Sequence, residues 1–265
     1  MPIHITHEEL AFLSRLMGKP SLRGLPLQLP GEHDQVTRAL VAAENSLRAR
    51  GWLRLEGDSI SVDKTVLDAI AFLASAPVVF GIRRTPRGAA TDSHLFYLSH
   101  ALKLHVHVDA GVYSIDTYNS DGFDDALRAV RGADSGLSGE IRPSISGMPL
   151  GGFVGLAALA QMKDATREAV LEGLSAQNLG FEQAGVLFDL YREDWEATVN
   201  LSAWLEVGAE VDATLSTLTL LDTRQGWWRI VQPTPDNVDL LPLTDYQVEG
   251  LVEAVLERIF DAVKG

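Results

Sequence analysis

Apolar positions along the chain switch between a helical period and a strand period, and the switches come in the same order twice. The first stretch, IHITHEELAFLSRLMG, opens with a short extended segment. It continues into Leu10, Leu13, Leu16 and Met17 at helical spacing, with Thr6 and Glu9 placed as a capping box. A second helix follows, with Val36, Leu40 and Leu47 on one face and Gly51 as its stop signal. DKTVLDAIAFLASAPVVFGI then reads as helix into strand, and HLFYLSHALKLHVHVDAGVYSIDTY alternates with period two as a β-meander. Asp121 leads into a last helix carrying Phe123, Leu127 and Val130.

The second copy opens with SISGMPLGGFVGLAALAQM, again a short extended segment running into an apolar helix. Asp164 is placed to cap a helix bearing Val170, Leu171 and Leu174. FEQAGVLFDLYREDWEATVNL repeats the helix-to-strand step, and TLTLLDTRQGWWRIVQPTPDNVDLLPL repeats the meander. Thr244 and Gln247 form a second capping box ahead of Val248, Leu251, Val252, Val255, Ile259 and Val263. Between the copies, residues 132–152 hold six Gly, two Pro and four Ser, the composition of a linker.

A three-stranded meander with one apolar face is a marginal unit alone. Two such units placed edge to edge or face to face give a larger sheet, with helices covering one side. The expectation is an α+β protein of two pseudo-symmetric halves sharing one body: residues 1–131, a linker at 132–152, and residues 153–265.

Composition narrows the function. The 265 residues contain no cysteine, which removes disulfides, thiolate ligands and a catalytic thiol. The N-terminal MPIHITHEEL has neither a basic nor an apolar signal region, and no apolar run reaches the ~20 residues of a membrane span. A cytoplasmic protein without a membrane span is expected. The net charge of −14 is concentrated in residues 151–265, which carry 7 Lys and Arg against 19 Asp and Glu. Such a surface repels phosphate backbones, so no nucleic-acid partner is expected.

Chemistry is sparse. In HALKLHVHVD, Leu104, Val106 and Val108 alternate with His105 and His107, so both imidazoles share the face opposite the aliphatic side chains. His100, His105, His107 and Asp109, with His94 reachable from the preceding strand, constitute a possible first-row metal set. The competing reading is a solvated or partner-facing strand, or a cluster titrating near neutral pH. The second copy places Trp228 and Ile230 near the corresponding positions, give or take one, so the repeat itself carries no metal site. GGFVG at 151–155 reads as linker, Asp124 and Asp125 as a helix first turn, and REDWE at 192–196 as a solvated helix end. The helix HDQVTRALVAAENSLRAR with Arg38, Arg48 and Arg50, followed by the hairpin GWLRLEGDSISV, outlines a winged helix. No cofactor-binding motif is present among the P-loop, GxGxxG, GxSxG and HExxH patterns.

The aromatic residues are informative. Trp195, Trp204, Trp227 and Trp228 lie in the acidic half, and only Trp52 lies outside it. Adjacent Trp227 and Trp228 on a strand point to opposite faces, which predicts that one leaves the core unless the other face is covered. Trp204, Trp227, Trp228 and Tyr246 are the candidate partner-binding residues.

The stretches ITHEELAFLSRLMG, LRARGWL, TVLDAIAFLASAPVVFGI, SISGMPLGGFVGLAAL and LLDTRQGWWRIV resemble, in order and over nearly the whole length, the EspG family of type VII (ESX) secretion-associated chaperones. The His-rich strand and the DTRQG turn depart from that pattern. The resemblance implies a quasi-two-fold cytosolic protein, not an enzyme, that binds the tip of a small exported helical-hairpin client and keeps it soluble. It brings no numbered site residues with it. A homodimer, a metal-dependent enzyme on the histidine strand and, more weakly, a winged-helix nucleic-acid binder stay as alternatives.

Overall fold

The protein is described by a computed structural model covering residues 2–19, 21–57, 59–99, 101–117, 123–132, 144–149, 166–175, 180–190, 195–205, 213–224 and 226–264. The first half runs β1 (Ile3–Thr6), α1 (His7–Leu16), α2 (His33–Ala49), the hairpin β2 (Leu53–Glu56) and β3 (Ser59–Val62), α3 (Lys64–Ser75), β4 (Val78–Pro86), β5 (Asp92–Leu98), β6 (Lys103–Asp109), β7 (Val112–Thr117) and α4 (Phe123–Arg131). The second runs β8 (Ile145–Pro149), α5 (Arg167–Ser175), α6 (Phe181–Asp189), β9 (Trp195–Leu205), β10 (Ala213–Thr223), β11 (Gly226–Thr234), β12 (Asn237–Leu243) and α7 (Asp245–Lys264).

The expected repeat is visible in the sheet. Ten strands pair in the order β1-β7-β6-β5-β4-β9-β10-β11-β12-β8, every pair antiparallel. Each half contributes five strands, with its first strand at an outer edge and the strand after its helices at the centre. The halves meet edge to edge where β4 pairs with β9, from Val78↔Leu205 to Pro86↔Ala197. Part of the stretch expected as linker is strand β8, seated beside β12 through Val238↔Met148 and Leu240↔Ile145.

Helices cover both faces of the sheet, not one as the sequence suggested. On one face Leu10 and Leu13 of α1, Leu47 of α2 and Val66, Ile70 and Leu73 of α3 pack on Val79, Leu95, Tyr97, Val106 and Ile115. Further along the same face, Val170 and Leu171 of α5 and Leu187 and Phe188 of α6 pack on Leu221, Trp228 and Leu240. The opposite face is covered by α4 and α7, through Ala126 and Val130 and through Val248, Val252, Leu256 and Ile259, over Phe80, Phe96, Val199, Leu201 and Trp227. The helices that precede each central strand thus lie on one side, and those that follow each meander lie on the other.

Local chemistry explains the helix ends. Thr6 and Glu9 close a reciprocal capping box on α1, with Glu9 N–H donating to Thr6 Oγ1 at 3.3 Å and Thr6 N–H to Glu9 Oε2 at 3.0 Å. Thr244 and Gln247 do the same for α7, with Gln247 N–H donating to Thr244 Oγ1 at 3.3 Å and Thr244 N–H to Gln247 Oε1 at 2.8 Å. Gly51, at φ +73°, follows the C-cap of α2 in the left-handed region that stops a helix. In α5 the hydroxyl that accepts in the first turn is Thr166, from Ala169 N–H; Asp164 lies outside the described residues.

Among the described residues two ion pairs cross between the halves, Arg131 of α4 with Glu249 of α7 and a more deeply buried pair in the sheet. Arg84 of β4 donates to Asp222 of β10 at 2.5 Å and to the carbonyl of Val130 in α4 at 3.0 Å. Asp222 is buried and Arg84 largely so, and burial pushes the Asp222 carboxyl up while the guanidinium pulls it back down.

Candidate functional site

On the face shared by α1, α3, α5 and α6, the described residues line a groove between the two helical layers at the middle of the sheet. Its volume is about 270 Å³ and its floor is β5, β4 and β9, through Leu95, Gly81, Ser202, Asn200 and Trp204, with Gly24, Leu25 and Pro26 as one wall. The wall is held by Arg23, whose carbonyl accepts from Tyr97 Oη at 2.5 Å and whose guanidinium donates to the Ala76 carbonyl. Trp204 is half-buried and lies over the backbone of Gly81; a Cβ there would come within 3.0 Å of both the indole and Leu95. A side chain at this position would make the indole or Leu95 shift by a few tenths of an ångström. Asn200 accepts from the Thr219 hydroxyl at 3.0 Å, which fixes one polar group on the floor. The groove therefore combines an aromatic side chain with polar groups, the mixture found in binding sites for other molecules.

The four aromatic residues proposed from sequence do not converge. Trp204 lines the groove. Trp227 and Trp228 do point to opposite faces, but neither leaves the core: they are 2% and 1% exposed. The reason is the two-sided helix cover. Trp227 lies under α7, with its indole N–H donating to Asp245 at 3.0 Å, and Trp228 lies under α5 and α6. Tyr246, 81% exposed, stands in the first turn of α7, on the opposite side of the sheet from the groove.

The histidine strand behaves as the period-two pattern predicts. Leu104 and Val106 are buried beneath α1 and α3, and His105 and His107 point to the other face. Asp109, the candidate carboxylate, is exposed at the end of β6, and His100 lies outside the described residues. The imidazoles are joined instead by His94 and Asp92 of β5. His94 and His107 are directly opposed across β5 and β6, with rings stacked at 4.6 Å. His107 Nε2 lies 2.7 Å from Asp92 Oδ1, and His94 Nε2 lies 3.2 Å from Oδ2. His94 Nδ1 is 3.0 Å from His105 Nε2, and His105 stacks on Phe96 at 4.7 Å.

Burial is the main cause that lowers His94 and holds His105 down to about 4, so the His105 ring is neutral at physiological pH. His94 and His107 hold Asp92 below the usual carboxylate range, against its partial burial. Asp92 was missed from sequence, yet a signal was present. Asp-Ser-His at 92–94 puts carboxylate and imidazole on one strand face, facing His-Val-His across a turn.

The helix and hairpin that outlined a winged helix are present as α2 with β2 and β3, but their arginines engage the chain itself. Arg48 bonds Glu44, Arg38 donates to the Asp34 carbonyl, and Arg50 pairs with buried Glu9 at 3.0 Å while stacking on Trp52 at 3.5 Å. Of the charge run at 192–196, Trp195 and Glu196 open β9, where a helix end was expected; 192–194 lie outside the described residues, as does 151–155.

Comparison with protein-family models finds no match, and comparison with curated proteins finds none either. Among solved structures, the fold is similar to that of the Mycobacterium tuberculosis type VII secretion system chaperone EspG5, determined in complex with a PE25-PPE41 dimer. The two superpose with a TM-score of 0.59 over 98% of this chain and 97% of that one, at 14% sequence identity. The chain has an EspG-like fold, mixed α and β around one large antiparallel sheet.

Proposed function

We propose that this chain is a chaperone-like binding protein of the type VII secretion kind, not an enzyme, and that its client is a small exported helical-hairpin protein met in the cytosol. The observation that supports this reading is the extent of the likeness: it spans both halves and nearly the full length of each chain, so the whole fold is shared and not a fragment of it. The groove supplies a place for the client. A helix-hairpin tip presents a few apolar side chains among exposed backbone polar groups. Trp204 and Leu95 match the first, and Asn200, Ser202 and Ser93 match the second. Tyr246 is on the far side of the sheet, so one helical tip in the groove does not reach it. Trp227 and Trp228 act as supports within the two cores.

The test is co-purification. Tagged protein expressed in its native cells is expected to bring down a small helical protein in stoichiometric amount. Trp204→Ala should weaken that complex at least about tenfold, because an aromatic contact at the centre of an interface is worth about 2 kcal/mol or more. Tyr246→Ala should leave it intact. Gly81→Ala, which makes Trp204 or Leu95 shift, should weaken binding as well and lower stability by about 1–3 kcal/mol. A complex that survives both Trp204→Ala and Gly81→Ala sinks the groove assignment. Absence of any helical partner sinks the chaperone reading.

A further inference from the structure

We infer that Asp92, His94 and His107 bind a divalent first-row transition-metal ion of the zinc class, which clips β5 to β6 on the face away from the groove. Each residue offers one ligand atom, and these atoms all lie within 4.8 Å of one another. The arrangement comes from strand geometry. Asp92 and His94 are two apart on β5 and share a face, and His94 is the direct cross-strand partner of His107. Both imidazoles already turn Nε2 toward the same carboxylate, at 2.7 and 3.2 Å. Ligands on a tetrahedral zinc, with bonds of about 2.0–2.2 Å, stand roughly 3.3 Å apart. Small side-chain rotations bring these three to that spacing.

The surroundings fit as well. A metal-bound imidazole is held by a partner on its other nitrogen, and His94 Nδ1 has one in His105 Nε2 at 3.0 Å. His105 is itself held between His94, with ring planes 5° apart, and Phe96. Asp116 and Asp125 add negative potential at the cluster. Asp92 and His107 keep about 42% and 37% of their side chains exposed, which leaves an entry path and room for a water ligand. Two nitrogens and one oxygen select zinc, cobalt, nickel or copper over magnesium or calcium. The cluster is not something the fold requires. Across β4, β5 and β6 the pairing runs Phe80↔Phe96↔His105, and across β9, β10 and β11 it runs Val199↔Leu220↔Arg229. The positions of His94 and His105 are thus held by Leu218 and Arg229 in the other half.

The experiment is calorimetric titration of tag-free, EDTA-treated full-length protein with zinc chloride at pH 7.5, repeated with cobalt to read its visible absorption. About one equivalent of saturable binding is expected. His94→Gln and His107→Gln should each weaken it at least ~100-fold, and His105→Phe about 10- to 100-fold. His33→Gln, an exposed histidine elsewhere, should leave it unchanged. Asp92→Asn at the partly exposed start of β5 gives a second ligand variant whose fold is checked by circular dichroism. No saturable uptake of either ion overturns the inference, and so does uptake that persists in folded His107→Gln and Asp92→Asn proteins.

Discussion

The two halves of the sheet follow one plan and differ in what they put on it. At equivalent places, the second half carries Leu218 and Leu220 under α7, with Arg229 as the cross-strand partner of Leu220, and the first carries His94, Phe96 and His105 beside α4. The second half satisfies the plan with aliphatic packing and a long polar side chain. The first uses stacked imidazoles hydrogen-bonded to one another and to Asp92. The comparison teaches that the repeat fixes backbone and burial, while the chemistry of a given face is free to diverge. Where a polar cluster appears in one half only, its explanation lies outside the fold.

The comparison can be broken most sharply at the place where the halves are joined. Arg84→Ala strands Asp222 in a buried site and removes the bond to Val130; a loss of about 3–5 kcal/mol in urea unfolding is expected. Replacing both partners, as in Arg84→Met with Asp222→Leu, should recover most of that loss, because two buried charges are removed together. If Arg84→Ala shifts the midpoint only slightly, the pair does not hold the halves together.

A smaller effect separates the halves by pH. The His105 ring takes a proton near 6.5 in the unfolded chain but near 4 in the folded one. Between those values the unfolded chain binds more protons, so stability contributed by His105 is present above about pH 6.5 and is lost as pH falls toward 4. With EDTA present, the wild type should lose about 2 kcal/mol more between pH 7.5 and 5.0 than His105→Gln does. Equal losses would mean that the histidine face titrates like solvent-exposed residues.

The smallest contrast concerns the two capping boxes. Thr244→Ala should lower stability by about 1 kcal/mol. Thr6→Ala should do somewhat more, since its partner Glu9 is buried and also holds Arg50. Thermal unfolding of the two variants side by side reads the difference, and an equal or reversed order removes the burial argument.

Much of this was legible in the sequence because it is local. Period-two runs broken by turn residues showed both meanders, and the Thr-Glu and Thr-Gln spacings showed two helix starts. The order of elements showed the repeat. What could not be read locally was the side on which each helix lands. A helix after β7 or β12 can return to either face, and its choice decides whether a strand residue is surface or core. That one unknown misplaced the tryptophans: Trp228 is covered by α5 and α6, and Trp227 by α7. The same limit hid the partner of the histidines. Asp92 reaches His107 only through the register of β5 on β6, which pairs His94 with His107, so Asp109, nearer in sequence, is left at the strand end. Among the proposed aromatic contacts, Trp204 lines the groove, but nothing in its own neighbourhood of the sequence marks the floor formed by Gly81 from the other half.

The strand order has a consequence for how such a chain behaves at high concentration. A long flat sheet with bare margins invites another copy to add on and grow into a fibre. Here the longest strands, β4, β9, β10 and β11, are interior, and the margins are β1 and β8, with four and five residues. β8 also carries Gly147 at φ +70°, with its N–H taken by Asp239, and ends at Pro149, which has no N–H to offer. By turning its widest hydrogen-bonding surfaces inward against each other, the two-half chain spends them on itself, and the edge strands among the described residues are short, interrupted templates for a neighbour.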